Sequence, residues 1–163
     1  MARIKDIVDK ILATICVTLF AVLTATVFWQ VLTRYAFNKP SAISEELGKI
    51  LFVWLVLLSA AYLFGEKGGH MNIGIIEEKV NNHIRFALGL ITQICIFGFA
   101  GFILLNGGFS AVLNGLSQAN AAIPIISTGQ IYMALPISGA LILFYSFTFI
   151  LADVKHLKKI ISK

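Results

Sequence analysis

"FALGLITQICIFGFAGFILLNGGFSAVLNGLSQANAAIPIISTGQIYMALPISGALILFYSFTFILA", residues 86–152, runs for 67 residues without one Asp, Glu, Lys or Arg. A helix crosses roughly 30 Å of hydrocarbon with about 20 apolar residues. The stretch therefore holds two spans joined by a neutral connection, placed at about 84–105 (or longer, to Ser117) and about 130–151. Two further charge-free runs precede it. Residues 11–33 make a run of 23, enough for a span. Residues 50–65 make a run of only 16, about 24 Å at 1.5 Å per residue. That run spans only if Lys49 snorkels or the bilayer thins locally. Composition agrees: of 163 residues 58% are hydrophobic and 13% charged, where soluble domains carry about 25% charged residues. The sequence predicts an all-α integral membrane protein, a single four-span domain over 1–163.

The first run resembles a signal peptide in position only. It exceeds the usual 7–15-residue apolar core, and no convincing small-residue cleavage site ends it. It reads as a retained span. The net charge of +5 comes from basic residues beside the apolar runs, where they act as topology signals. With four spans, the N-terminal arm, the 2–3 loop and the C-terminal tail share one side and hold ten Lys and Arg. The other side holds three, Arg34, Lys39 and Lys49. Ten against three predicts cytoplasmic N and C termini. Cys16 and Cys95 both fall in apolar runs, as small apolar residues do.

Two segments read as interfacial amphipathic helices that feed directly into spans. In residues 41–49, Ile43, Leu47 and Ile50 share one helical face with Leu51, opposite Glu45, Glu46 and Lys49. Ser41 is the expected N-cap and Glu45–Lys49 an i,i+4 ion pair. In residues 71–83, Ile73, Ile76 and Val80 form the apolar stripe against Glu77, Glu78, Asn81 and Asn82.

Chemistry is sparse. Ion and substrate pathways ordinarily place ionisable residues inside spans, and these span interiors contain none. Thr14, Thr18, Ala21 and Ala25 form a small-residue stripe on the first helix. Its ordinary reading is close helix–helix packing, and its other reading is a hydroxyl-lined path. Gln93 is suited to bonding across a helix interface. Trp54, one turn into the second span, is either a belt residue or a partner contact. His70 stands without a second His, Cys or carboxylate at ligand spacing and reads as a boundary hydrogen-bonder. No catalytic constellation, metal set or cofactor motif is present, so neither an enzyme nor a cofactor is expected.

Arg34, Pro40, Glu45-Glu46-Leu47, Phe52-Val53-Trp54, Gly69-His70 and Ile123-Pro124 … Tyr132 … Pro136 … Gly139 occur in an order that resembles the small membrane subunit of TRAP (tripartite ATP-independent periplasmic) transporters. The resemblance covers nearly the whole chain; Ile43 stands where that family commonly has Trp. It implies a multi-pass subunit of a bacterial inner membrane. It also implies a stable heterodimer with a large TRAP membrane subunit, which carries substrate and sodium while the small subunit anchors its static part. A periplasmic substrate-binding protein would be a transient partner, membrane lipids would surround the pair, and nucleic acid has no role. The cargo implied is an organic acid, sialic acid or a C4-dicarboxylate, taken up by sodium-driven symport.

On that reading Arg34, Glu45, Glu46, Lys49, Trp54 and His70 are the candidate partner interface. For Glu45 and Glu46 three readings stand: a solvated helix face, a contact with the large subunit, or a contact with the binding protein. Rival functions are a stand-alone small tetraspan transporter or a four-span membrane enzyme of the glutathione transferase type. A small multidrug exporter needs a membrane-embedded acid in its first span, which this sequence lacks. The enzyme needs Arg and acidic residues along buried helices, which it also lacks.

Overall fold

A computed structural model describes residues 2–38, 41–66 and 82–161, with side-chain surroundings over 3–38, 41–65, 89 and 91–150. Six α-helices follow in order: α1 Ala2–Ala36, α2 Ala42–Glu66, α3 Asn82–Gly98, α4 Gly108–Gly115, α5 Thr128–Tyr132 and α6 Ala134–Ile161. A π-helical segment, Phe99–Gly107, joins α3 to α4 without a break, so the three make one continuous third span. Four stretches are long and apolar enough to cross a membrane: Arg3–Ala36, Ala42–Gly65, Ile91–Gly115 and Thr128–Ile150. Among the described residues the fold is all-α, with four such helices.

The amphipathic lead-in at 42–49 and the short apolar run at 50–65 form one helix, α2. Its 25 residues measure about 37 Å at 1.5 Å per residue, which removes the shortfall of the apolar run taken alone. The start is capped as its sequence suggests: Ser41 Oγ accepts from Ser44 N at 3.3 Å. Ahead of it, α1 ends before Asn38, which takes a left-handed φ of 50°. Asn tolerates that conformation better than most side chains, and such a residue commonly stops a helix. The lead-in at 71–83 falls, up to residue 81, outside the described residues.

Among the described residues the helices form a row in which each packs chiefly on its neighbours. α1 lies on α2, α2 on α6, and α6 on the third span. Small residues let the last pair approach closely. A Cβ added at Gly139 would sit 2.7 Å from Leu104 Cβ, and one at Gly108 2.9 Å from Leu135 Cβ. Gly115 and Gly129 meet backbone to backbone, where an added Cβ at either has 2.6–2.7 Å to the nearest main-chain atom. Lipid gives apolar helix faces no hydrophobic reason to associate, so such van der Waals contact is what holds neighbouring spans together.

The π segment adjusts the register of this pair. Gly108 lies beside Pro136 and Gln93 bonds Ser146, so α6 advances from 136 to 146 while the third span runs back from 108 to 93. The wider π turns, closed by i→i+5 bonds, take up the additional residues.

Away from these seams little is buried. Leu12, Leu58, Ala61, Phe64, Ala100, Leu104, Ala134 and Tyr145 form the apolar interior, with Phe64 and Phe149 edge-to-face at 5.8 Å. α1 leaves Ile15, Val17, Phe20, Phe28 and Trp29 uncovered. In water such exposure would mark an interaction surface; for a spanning helix it is a face for lipid or another membrane chain.

Candidate functional site

The polar groups collect at the two ends of the helices. At one end, Asn120 occupies the loop between α4 and α5. Its Oδ1 accepts from Ala122 N at 3.0 Å and Ile123 N at 3.1 Å, and its Nδ2 donates to Glu46 Oε1 at 2.8 Å. The main chain closes the loop around it: Asn120 N donates to Ile126 O and Thr128 N to Gln118 O, at 3.0 and 2.8 Å. Ser127 and Gln130 then form a capping box at the start of α5.

Lys49 sits between the two acids, 3.0 Å from Glu45 Oε1 and 3.4 Å from Glu46 Oε2. These polar first turns of α2 precede its charge-free run. There the Glu46 carboxylate accepts from both Asn120 and Lys49. Glu46 thus fastens the loop between the third and fourth spans to α2. Glu45 and Lys49 stay exposed.

The opposite end has its own junction. Tyr145 is fully buried, and its hydroxyl donates to Asp9 Oδ1 at 2.6 Å. Asp9 Oδ2 accepts from Lys5 Nζ at 3.1 Å, and that ammonium lies 5.9 Å from the Tyr145 ring centroid. The ring also fills the space beside Gly65, where an added Cβ would meet it at 2.5 Å. This contact ties the start of α1 to α6, although α1 otherwise leans on α2. Nearby, Gln93 Nε2 donates to Ser146 Oγ at 2.5 Å, a bond across the third and fourth spans.

The candidate interface residues are only partly brought together. Glu45, Glu46 and Lys49 form one cluster. Arg34 is exposed in the last turn of α1 and makes no ion pair among the described residues. Trp54 is half-buried on α2, and His70 lies outside the described residues. The stripe of Thr14, Thr18, Ala21 and Ala25 is exposed. Thr14 and Thr18 donate to the carbonyls of Lys10 and Thr14, both at 2.8 Å. The small residues that do pack helices are Gly108, Gly115, Gly129, Ser138 and Gly139. Glycines recurring every seven residues at 101, 108 and 115 were the available signal. No group of three His, Cys, Asp or Glu among the described residues is placed to hold a metal.

The described residues thus combine apolar spans, polar helix ends and tight glycine seams. The family model for the DctQ component of tripartite ATP-independent periplasmic transporters matches residues 23–156. The chain belongs to this family. Members of it are transporter components, not enzymes. A sialic acid TRAP transporter small permease protein of Vibrio cholerae is 30% identical over 148 residues, covering 88% of this chain and 82% of that one. A putative TRAP transporter small permease protein of Haemophilus influenzae is 27% identical over 142 residues, covering 87% and 86%. A third relative, a sialic acid TRAP transporter permease protein of Haemophilus influenzae, is 28% identical over 148 residues. The match covers 88% of this chain but 22% of that longer one. In that relative a unit similar to this one is part of a larger permease.

Proposed function

We propose that this chain is the fixed scaffold of a sodium-coupled TRAP importer in a bacterial inner membrane. It binds the static part of a large membrane subunit as a stable heterodimer, with both termini cytoplasmic. The observation that carries the reading is the longer relative, in which a similar unit is covalently part of a permease more than four times the length of the match. The absence of Asp, Glu, Lys, Arg and His from residues 11–33, 50–65 and 86–152 supports it as well, since translocation of ions and acids draws on such groups inside spans.

On this assignment the large subunit carries sodium and cargo, and a periplasmic binding protein docks transiently to deliver the cargo. Two relatives named for sialic acid favour that acid over a C4-dicarboxylate. The helix ends carrying Glu45, Glu46, Lys49 and Arg34 face the periplasm. Arg34 and the exposed Glu45–Lys49 pair are its charges for a partner, while Glu46 is engaged with Asn120. The exposed stripe on α1 and the half-buried Trp54 are further contact surface for the large subunit or for lipid.

The test is purification of the tagged chain from native membranes in mild detergent, with mass spectrometry of what accompanies it. A single large polytopic protein at one-to-one stoichiometry is expected. Recovery of the chain alone, or only as a homo-oligomer, overturns the assignment.

A further inference from the structure

The third span carries an unusual outer face. Its inner face, Ala100, Leu104, Gly108 and Gly115, is buried, with the last three against α5, α6 and the turn between them. Asn106, in the π segment, stands two residues from both buried Leu104 and buried Gly108, close to half a turn from each. Ser110 and Asn114 follow at i+4 and i+8, so the three line one stripe, and all are exposed. The span runs Ile91–Gly115, which puts Asn106 near its middle, about 13 Å from the loop end at 1.5 Å per residue. Phe102 and Phe109 flank the stripe, 78% and 60% exposed.

Several other polar side chains of the spans find partners within the chain. Gln93 is met by Ser146, and threonines at 14, 18, 24 and 26 donate to their own helix carbonyls. Asn106, Ser110 and Asn114 make no side-chain hydrogen bond among the described residues. An Asn carboxamide presents two donors and an acceptor with two lone pairs, and hydrocarbon satisfies none of them. A lipid-facing surface would therefore not place carboxamides directly opposite the face that packs.

We propose that this stripe is the seam on which a transmembrane helix of the large permease subunit docks, supplying hydrogen-bonding groups to Asn106 and Asn114. The proposal rests on the assignment above, and the same longer relative selects the large subunit over a second copy of this chain. The edge position fits as well. The third span ends the row on the side away from α1, so a partner helix extends the row and leaves the existing helix packing in place. Phe102 and Phe109 then pack around the polar centre, and Ser110 bridges the two carboxamides along the seam.

The test incorporates a photo-crosslinking phenylalanine analogue at 106, 110 and 114, and at Val17 and Phe28 of α1 for comparison, in the complex within native membranes. It is paired with Asn106→Leu and Asn106→Gln in a pull-down. An adduct with the large subunit is expected from the three stripe positions. Asn106→Leu should weaken association about threefold to twentyfold, the range for one interhelical hydrogen bond in a membrane, while Asn106→Gln retains it. If the wild type co-purifies with the large subunit, stripe positions that yield no adduct together with normal association of Asn106→Leu overturn the seam and leave the scaffold assignment standing. An adduct between two copies of this chain also overturns it. Failure of the wild-type chain to co-purify overturns both.

Discussion

Replacing Gly129 with Ala tests the packing of the third and fourth spans most sharply. The new methyl carbon would lie 2.6 Å from Val112 O, 2.7 Å from Leu116 N and 2.9 Å from Gly115 C. All three are main-chain atoms, so no side chain can swing aside. Restoring an ordinary 3.4 Å contact requires the end of α4 and the start of α5 to separate by about 0.8 Å. Overpacking of this kind costs about 1–3 kcal/mol, and in lipid no hydrophobic gain offsets the looser van der Waals packing that results. Gly48→Ala is the matched control, because nothing lies within 4 Å of a Cβ built there. In the interior of α2 that change should be neutral or stabilise by up to about 1 kcal/mol through helix propensity. The assay is reversible unfolding of the detergent-solubilised chain by graded SDS, followed by circular dichroism. If Gly129→Ala is as stable as Gly48→Ala, the backbone contact between Gly115 and Gly129 does not exist as described.

Other perturbations probe the polar junctions. Tyr145→Phe removes a donor to a charged acceptor and should cost about 1.5–3 kcal/mol; freeing the start of α1, it should also speed labelling of half-buried Cys16 by a membrane-permeant thiol reagent while exposed Cys95 is unchanged. Gln93→Leu should weaken the pairing of the third and fourth spans by about 0.6–1.7 kcal/mol, read in the same SDS titration. Asn120→Ala should accelerate proteolysis within residues 116–127, because both the loop's internal turn and its tie to Glu46 disappear.

The four spans were legible because a long charge-free run has few alternatives, and residues 86–152 leave room for two crossings. The cap at Ser41 and the Glu45–Lys49 pair were legible too, because both are local. What escaped the sequence was non-local or depended on the continuity of helices. Glu46 meets Asn120 across 74 positions, and Asp9 meets Tyr145 across 136; no local pattern announces either. "LLNGGF" resembles a connection because Asn and Gly are weak helix formers, yet the π segment carries the helix through it and leaves Asn106 in mid-span. The stripe on α1 is exposed, whereas the glycines of the third span meet α5 and α6, and composition alone does not say which neighbour a helix finds.

The scaffold claim is tested most directly by distances within this chain while the assembled complex works. With Cys16 and Cys95 replaced, spin labels at Tyr35, exposed in the last turn of α1, and at Ile125, 93% exposed in the loop before α5, report on the row by pulsed electron resonance. The complex is reconstituted in liposomes, and the distance is taken with and without sodium and the organic acid. A fixed frame gives the same distance distribution in both conditions. A shift of several ångströms on adding sodium and cargo would make this chain a moving part of the transporter and contradict the account.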